Sequence, residues 1–372
     1  MLEDVSAPYE TRPRREVLTL SPYIAGKPAE EVKREFGLDR VVKLASNENP
    51  LGPSPKALQV LKEMAASAHI YPDAAGFALK ARLSEVFGVP EEQIVLGNGS
   101  DEIIMLLGQV FVAPGDEVVM GSQTFPIYKT STQNMGGIPV EVPLRKGFLD
   151  TEAMAEAVTS KTKLLFLCNP NNPTGTMNTL DEVKRLLDSV PPQVLVVADQ
   201  AYAEYVGDTD YGDLLPHLRE GRNVAVLRTF SKIYGLAGLR VGFGLMPQYA
   251  AALVNRVRLS FNQNALAQAA AIAALEDEEH VKKSLDLVAE GKRYLYGQFE
   301  RMGLKTYPSW GNFIMVDTGR DAQRVFRAML RKGVIVRPTT AWNMPHGLRI
   351  TVGTREENEA MIEALREALA EV

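Results

Sequence analysis

The stretch R-T-F-S-K-I-Y-G-L-A-G-L-R, residues 228–240, sets one lysine, Lys232, between an apolar run and a glycine-spaced loop. Lysine is expensive to bury and usually lies on a solvated helix face, so an ammonium group at the end of a strand asks for a chemical reason. Two other strand-like runs end on reactive types. V-L-V-V-A-D closes on Asp199 with Tyr202 shortly behind it, and K-L-L-F-L-C runs into N-P-N-N-P-T-G, residues 169–175. In open parallel sheets, ligands bind beyond the carboxyl ends of the strands. An amine, a carboxylate, a phenol and an amide would therefore converge on one crevice. Taken singly, each has a plain alternative: Asp commonly ends a strand as a turn former, and N-P-T-G is good turn chemistry. All three in order, each after a strand, point to catalysis.

The chemistry that needs this set is that of pyridoxal 5'-phosphate. A lysine amine forms an imine with the cofactor aldehyde, and a buried carboxylate keeps the ring nitrogen protonated so that the ring can serve as an electron sink. An Asn and a Tyr would hydrogen-bond the phenolic oxygen. The phosphate needs an arginine and a set of N–H donors. Arg240 supplies the first, and G-N-G-S-D-E, residues 97–102, supplies the second as a strand-to-helix turn presenting backbone N–H groups at a helix N-terminus.

The elements that would position these groups alternate. I-V-L-G leads into E-I-I-M-L-L-G-Q-V-F; E-V-V-M-G precedes a helix opening near Pro126; I-P-V-E-V-P-L and K-L-L-F-L-C follow. The next helix, L-D-E-V-K-R-L-L-D-S, has Thr179 and Glu182 at capping-box spacing. Short β-branched strands alternating with amphipathic helices predict an α/β fold with a mainly parallel sheet covered by helices on both faces. From about Leu259 helices lengthen and strands thin out, with the strands N-F-I-M-V-D-T, V-I-V-R-P and L-R-I-T-V-G, which predicts a smaller α+β C-terminal domain. The expected division is an N-terminal arm over 1–40, packing on the small domain or a neighbouring subunit, a large cofactor-binding domain over 41–258 and a small domain over 259–372.

Composition narrows the setting. At 372 residues, one ordinary core is too little for the chain. A net charge of −5 gives no basic field for nucleic acid. Cys168 is the one cysteine, so no intrachain disulfide can form and a reducing cytoplasm fits. The first residues, M-L-E-D-V-S-A-P-Y-E, are acidic where a secretory signal would be basic, and no apolar run has the length of a membrane span. The four histidines, His69 and His346 among them, show no metal-ligand spacing, so no metal is expected. Cys168 reads as a small core residue, and Trp310 and Trp342 read as packing residues at the small-domain side of the cleft.

S-N-E-N-P-L-G-P-S-P, Y-P-D, G-N-G-S-D-E, N-P-N-N-P-T-G, A-D-Q-A-Y, T-F-S-K-I-Y-G-L-A-G-L-R-V-G-F and L-R-I-T-V-G-T follow one another along nearly the whole chain. In this order they resemble a fold-type I pyridoxal-phosphate aminotransferase, and within that group the sequence is similar to the histidinol-phosphate aminotransferase family. The resemblance implies Lys232 as the imine-forming lysine, Asp199 as the pyridinium partner, and Asn172 and Tyr202 as ligands of the ring oxygen. It places Ser100, Asp101, Thr229, Ser231 and Arg240 in the phosphate-binding segments, with Tyr71 of Y-P-D reaching the phosphate of a neighbouring subunit in a homodimer with shared sites. Arg349 would grip the substrate's anionic end, with Arg337, Tyr23 and Asn47 beside it. Where many members carry a tyrosine stacking on the cofactor ring, this chain has Phe125. Stacking needs only the π-face, but a phenolic hydrogen bond there would be lost.

The implied reaction is ping-pong transamination of L-histidinol phosphate, the amino donor, with 2-oxoglutarate, the oxo-acid acceptor. Three readings stand beside it: an aromatic amino-acid aminotransferase or a dual activity, an amino-acid-phosphate decarboxylase, and a cofactor-sensing regulator. The last would need an appended DNA-binding module, and neither end of the sequence carries a basic helix-turn-helix segment.

Overall fold

A strand covered on both faces carries apolar side chains at every position, and the runs ending at Cys168, Asp199 and Thr229 come close to this. In the computed structural model, which describes residues 13–18, 20, 26–207 and 209–372, they lie side by side. A seven-stranded sheet runs in the order Ile94–Gly97, Gly242–Leu245, Val224–Thr229, Leu195–Asp199, Thr162–Cys168, Glu117–Gly121 and Ile138–Val142. Pairing is parallel from Val224–Thr229 out to Ile138–Val142. Alternation with period 2 divides the side chains between two cores. Leu165, Leu167, Val196, Ala198 and Val226 enter one face; Leu164, Phe166, Cys168, Leu195, Val197 and Leu227 enter the other.

Gly242–Leu245 is antiparallel to both neighbours, and its G-F-G-L sequence is a weak strand signal because glycine lacks a side chain to pack. Its glycines answer to crowding: a Cβ on Gly242 would lie 2.6 Å from the Ser100 amide nitrogen. The strand thus lies directly against the start of the helix Ser100–Phe111.

The second unit is a four-stranded antiparallel sheet in the order Arg337–Pro338, Gly347–Thr351, Phe313–Asp317, Lys305–Thr306. The helices Glu278–Arg301, Ala322–Arg331 and Arg355–Glu371 share its core, which includes Leu295, Phe299, Ile314, Val325 and Leu365. Two details depart from the sequence reading. V-I-V-R-P is two short strands: Val334–Ile335 pairs in parallel with Val42–Lys43, while Arg337–Pro338 pairs with Gly347–Thr351. The helix Ala265–Leu275 buries Ala267, Ala270, Ala271 and Ala274 with Ala57, Leu79 and Leu83 in a core of the large sheet. Its small side chains let it approach the helix Pro55–Met64 closely, so this segment beyond residue 259 packs with the large unit. Tyr23 lies outside the described residues.

The Thr179–Glu182 spacing closes as a capping box on the helix Leu180–Ser189, with the Glu182 carboxylate accepting from the Thr179 backbone N–H at 2.8 Å. Replacing Thr179 by Ala removes one arm of it. We expect a loss of about 1 kcal/mol in urea denaturation, and an unchanged midpoint would show that this helix end carries no such weight.

Candidate active site

The parallel strands deliver their last residues to one edge, and there a cavity of about 250 Å³ opens between the two sheets. Lys232, Asp199, Tyr202, Asn172, Phe125, Ser100, Asp101, Thr229, Ser231, Arg240, Asn47, Arg337 and Arg349 all line it. Tyr71 does not: the residue is 79% exposed and its ring lies against Phe261, centroids 4.8 Å apart.

Asp199 ends its strand fully enclosed. Its carboxylate accepts from the Tyr128 hydroxyl at 2.7 Å and from the Ala201 N–H at 3.2 Å. Burial pushes its pKa up to about 6, against the pull of the Tyr128 hydrogen bond. Tyr128 is itself buried and stacked on Phe166, ring planes 6° apart and centroids 4.5 Å apart. The Tyr128 hydroxyl was not anticipated from the sequence, although Tyr128 sits three residues after Phe125 in the first turn of the helix Ile127–Asn134. Cys168, beside them, has its thiol pushed up to about 12 by burial, and it stays an inert wall residue.

Lys232 donates to the Ser46 carbonyl at 3.2 Å, and its ammonium lies 5.6 Å from the Tyr202 ring centroid. Desolvation, helped by the positive Arg349, lowers its pKa to about 8. Tyr202, raised above the ordinary phenol value by burial, accepts from Asn47 Nδ2 at 2.8 Å, which leaves its own O–H proton to donate into the cavity. Asn47 has φ +55, in the left-handed region that Asn tolerates better than most residues. Its backbone N–H donates to Thr351 Oγ1, and its carbonyl accepts from Asn312 Nδ2, so the small sheet holds it in that conformation.

Arg349 comes from the small sheet. It donates to Asn172 Oδ1 at 2.7 Å and to the Ala45 carbonyl at 2.6 Å, with its guanidinium 5.6 Å from the Phe313 ring centroid and 5.9 Å from that of Trp342. Arg337 also lies over Trp342, 5.8 Å from the ring centroid. Trp342 is buried, and its indole donates to the Thr124 carbonyl at 2.6 Å, joining the two walls of the cleft.

At the far end the helix Ser100–Phe111 starts with no side-chain cap. Its first-turn N–H groups, the Thr229 and Ser231 hydroxyls and Arg240 form a donor set for an oxyanion. Gly99 has φ +77, a conformation that side chains rarely adopt, and a Cβ there would come 2.4 Å from Arg240 Nη2 and displace that guanidinium. With a carboxylate at one end, an amine beside it and this cradle at the other, the donor set fits a phosphorylated pyridine aldehyde. Among the described residues, no group of His, Cys, Asp and Glu could hold a metal ion. No helix among them is long and apolar enough to cross a membrane.

Comparison with known proteins agrees with this architecture. Residues 39–365 match the family described as aminotransferase class I and II. A histidinol-phosphate aminotransferase of Moorella thermoacetica is 51% identical over 96% of this chain and 93% of its own. The chain belongs to the histidinol-phosphate aminotransferase family. A relative in Caldicellulosiruptor saccharolyticus with the same description is 47% identical, covering 95% of this chain and 99% of its own. The crystal structure of the Sinorhizobium meliloti histidinol-phosphate aminotransferase, in complex with pyridoxal-5'-phosphate, superposes with a TM-score of 0.88 at 28% identity, covering 98% of this chain and all of that one. A Thermus thermophilus aspartate aminotransferase variant, at 23% identity and a TM-score of 0.83 over 97% of this chain and all of its own, shares the fold. The architecture is therefore that of a fold-type I aminotransferase.

The lowered pKa of Lys232 has a direct signature. In cofactor-free protein its amine is neutral above pH 8, whereas ordinary lysines remain protonated to about 10.5. The unfolded chain then holds the extra proton between those values, so this group makes stability rise with pH through that window. Labelling with trinitrobenzenesulfonate, read by peptide mass spectrometry, should reach half its limiting rate at Lys232 near pH 8. A midpoint near 10.5 would mean that the amine does not feel its desolvation.

Proposed function

We infer that this chain transfers the amino group of L-histidinol phosphate to 2-oxoglutarate, giving imidazole-acetol phosphate and L-glutamate, with pyridoxal 5'-phosphate as cofactor and histidine biosynthesis as its setting. The observation that carries this reading is the meeting, in one cavity, of a desolvated amine, a buried carboxylate and two arginines from the other sheet.

Bound there, pyridoxal phosphate supplies a carbonyl that takes up the amino group and a protonated ring that draws electron density from the substrate carbon. Asp199, held by Tyr128, retains the proton of the ring nitrogen through a charge-assisted contact. Tyr202 and the amide NH2 of Asn172 donate to the ring oxygen; Asn172 Oδ1 is already taken by Arg349. Ser100, Asp101, Thr229, Ser231 and Arg240 bracket the phosphate, and Phe125 offers its face to the ring. Lys232 Nζ takes the proton from the substrate carbon that bears the amino group and returns it later, a task suited to an amine with a pKa of about 8. Arg349 and Arg337 hold the anionic end of each substrate in turn, so one pocket serves both halves of a ping-pong cycle. Asn47 lines the same cavity, and Tyr23 is assigned to substrate binding with it.

The same reading makes the protein a cytoplasmic homodimer with shared sites, in which Tyr71 completes the phosphate cradle of its partner. Exposed Tyr71 and Phe261, whose rings are in contact, support this, since exposed apolar rings side by side suit an interaction surface. It treats the chain as an arm, a large cofactor-binding unit and a small C-terminal unit.

Two measurements test it. With histidinol phosphate and phenylalanine as alternative donors, Arg337→Ala should lower kcat/KM for the phosphorylated donor roughly ten- to a hundredfold, the loss of one charge-assisted contact, and change phenylalanine far less. Equal losses would remove Arg337 from phosphate binding, and no turnover of histidinol phosphate by the unaltered enzyme would overturn the reaction itself. Mixing inactive Tyr71→Ala and Lys232→Ala chains should restore activity in heterodimers with one intact site; no recovery after proven subunit exchange would place Tyr71 in its own subunit's chemistry.

A further inference from the structure

Among the described residues, three carboxylates line the cavity: Asp199, Asp101 and Glu48. The first two have places in the cofactor end. Asp199 is tied to Tyr128, and Asp101 sits in the first turn of the helix Ser100–Phe111 near Arg240. Glu48 stands on the segment that also carries Ser46 and Asn47, lines the cavity and is close enough to Lys232 for its charge to act there. It has no part in the mechanism derived above. An acid on the wall where an anionic substrate must enter is unfavourable unless it meets a positive or hydrogen-donating group.

One such group is permanent. Lys43 donates to both Glu48 oxygens, at 2.8 and 3.0 Å, from a part-exposed position. Lys43 itself does not line the cavity, whereas Glu48 does, so the ammonium offsets the charge of Glu48 without lining the cavity itself. Two carboxylate oxygens have about four acceptor positions, and the single ammonium of Lys43 leaves some of them open. The field of Glu48 also reaches the catalytic amine, whose pKa it raises.

We propose that Glu48 is a specificity residue that accepts a hydrogen bond from the ring N–H of the substrate's imidazole. This rests on the reaction inferred above and adds to it the end of the substrate that the arginines do not hold. A donor with a phosphate and an imidazole needs two unlike contacts. Arg349 and Arg337 suit the first, and an acceptor with its charge offset suits the second. Burying an N–H against a wall without an acceptor would forfeit a hydrogen bond to water, whereas a phenyl ring has none to lose.

The test compares histidinol phosphate with phenylalaninol phosphate, which keeps the phosphate and the amine and replaces the imidazole by a ring without N–H. Holoenzyme is mixed with each donor, and the single-turnover rate constant divided by the apparent dissociation constant is read from the cofactor's absorbance. The unaltered enzyme should prefer histidinol phosphate, and Glu48→Leu should reduce that preference roughly ten- to a hundredfold. The ratio is the readout because removing Glu48 also shifts Lys232, which affects both donors alike. Lys43→Met breaks the ion pair but keeps the carboxylate, so it should retain the preference. The 2-oxoglutarate half-reaction of Glu48→Leu should change no more than the phenylalaninol phosphate reaction does, since neither partner presents a ring N–H.

An unchanged ratio in Glu48→Leu, or an equal collapse of the ratio in Lys43→Met, would overturn the proposal and leave Glu48 as the structural partner of Lys43. Should the unaltered enzyme fail to react with histidinol phosphate at all, the inferred reaction falls. A reaction with histidinol phosphate and no preference over phenylalaninol phosphate leaves that reaction standing and removes Glu48 from substrate choice.

Discussion

A carboxylate and an amine are kept in water-poor surroundings at one sheet edge, and neither is allowed to quench the other. Asp199 is satisfied by Tyr128 and the Ala201 N–H, and Lys232 by the Ser46 carbonyl. Burial then acts on them in opposite senses, raising the acid to about 6 and lowering the base to about 8. A direct ion pair would have favoured both charged forms and consumed both groups. The parallel sheet sets this geometry: Asp199 pairs with Leu227 in the neighbouring strand, and the chain from that strand turns back at Thr229 to bring Lys232 over the same edge.

The segment through Ala45, Ser46, Asn47 and Asn49 binds the two units together. Its carbonyls receive Arg349 and Lys232, and Asn47 is tied to Thr351 and Tyr202. Asn49 Nδ2 donates to the Ile233 carbonyl and to Ser284 on the long helix. A short, irregular stretch near the start of the chain thus meets the lysine loop, the small sheet and the long helix at once. Its left-handed Asn47 is a strained conformation maintained by the hydrogen bonds around it.

Much of this was legible because the signals are local. Apolar β-branched runs ending on Asp199, Cys168 and Thr229 announce buried strands, and Thr179 with Glu182 announces a helix start. The hidden parts depend on partners far along the chain. V-I-V-R-P breaks in two because Val42 and Arg349 compete for its halves. G-F-G-L becomes a strand through close packing that glycine alone permits. The Tyr128 support of Asp199 spans 71 residues and the Asn47–Thr351 contact 304, distances over which no periodicity carries information.

The groups assigned to the cofactor hang from the large sheet, whereas Arg337 and Arg349 hang from the small one. On the proposed assignment, catalytic power and grip on the substrate's anionic end are written on separate scaffolds with separate cores. Changes in distant, uncoupled positions add nearly independently, so the small sheet can drift toward a new amino donor without retuning the proton chemistry. Trp342 and Asn47 bridge the two scaffolds, however, and so does Arg349. Its 2.7 Å bond to Asn172 crosses from one scaffold to the other, and there a change of diet would be felt by the catalyst.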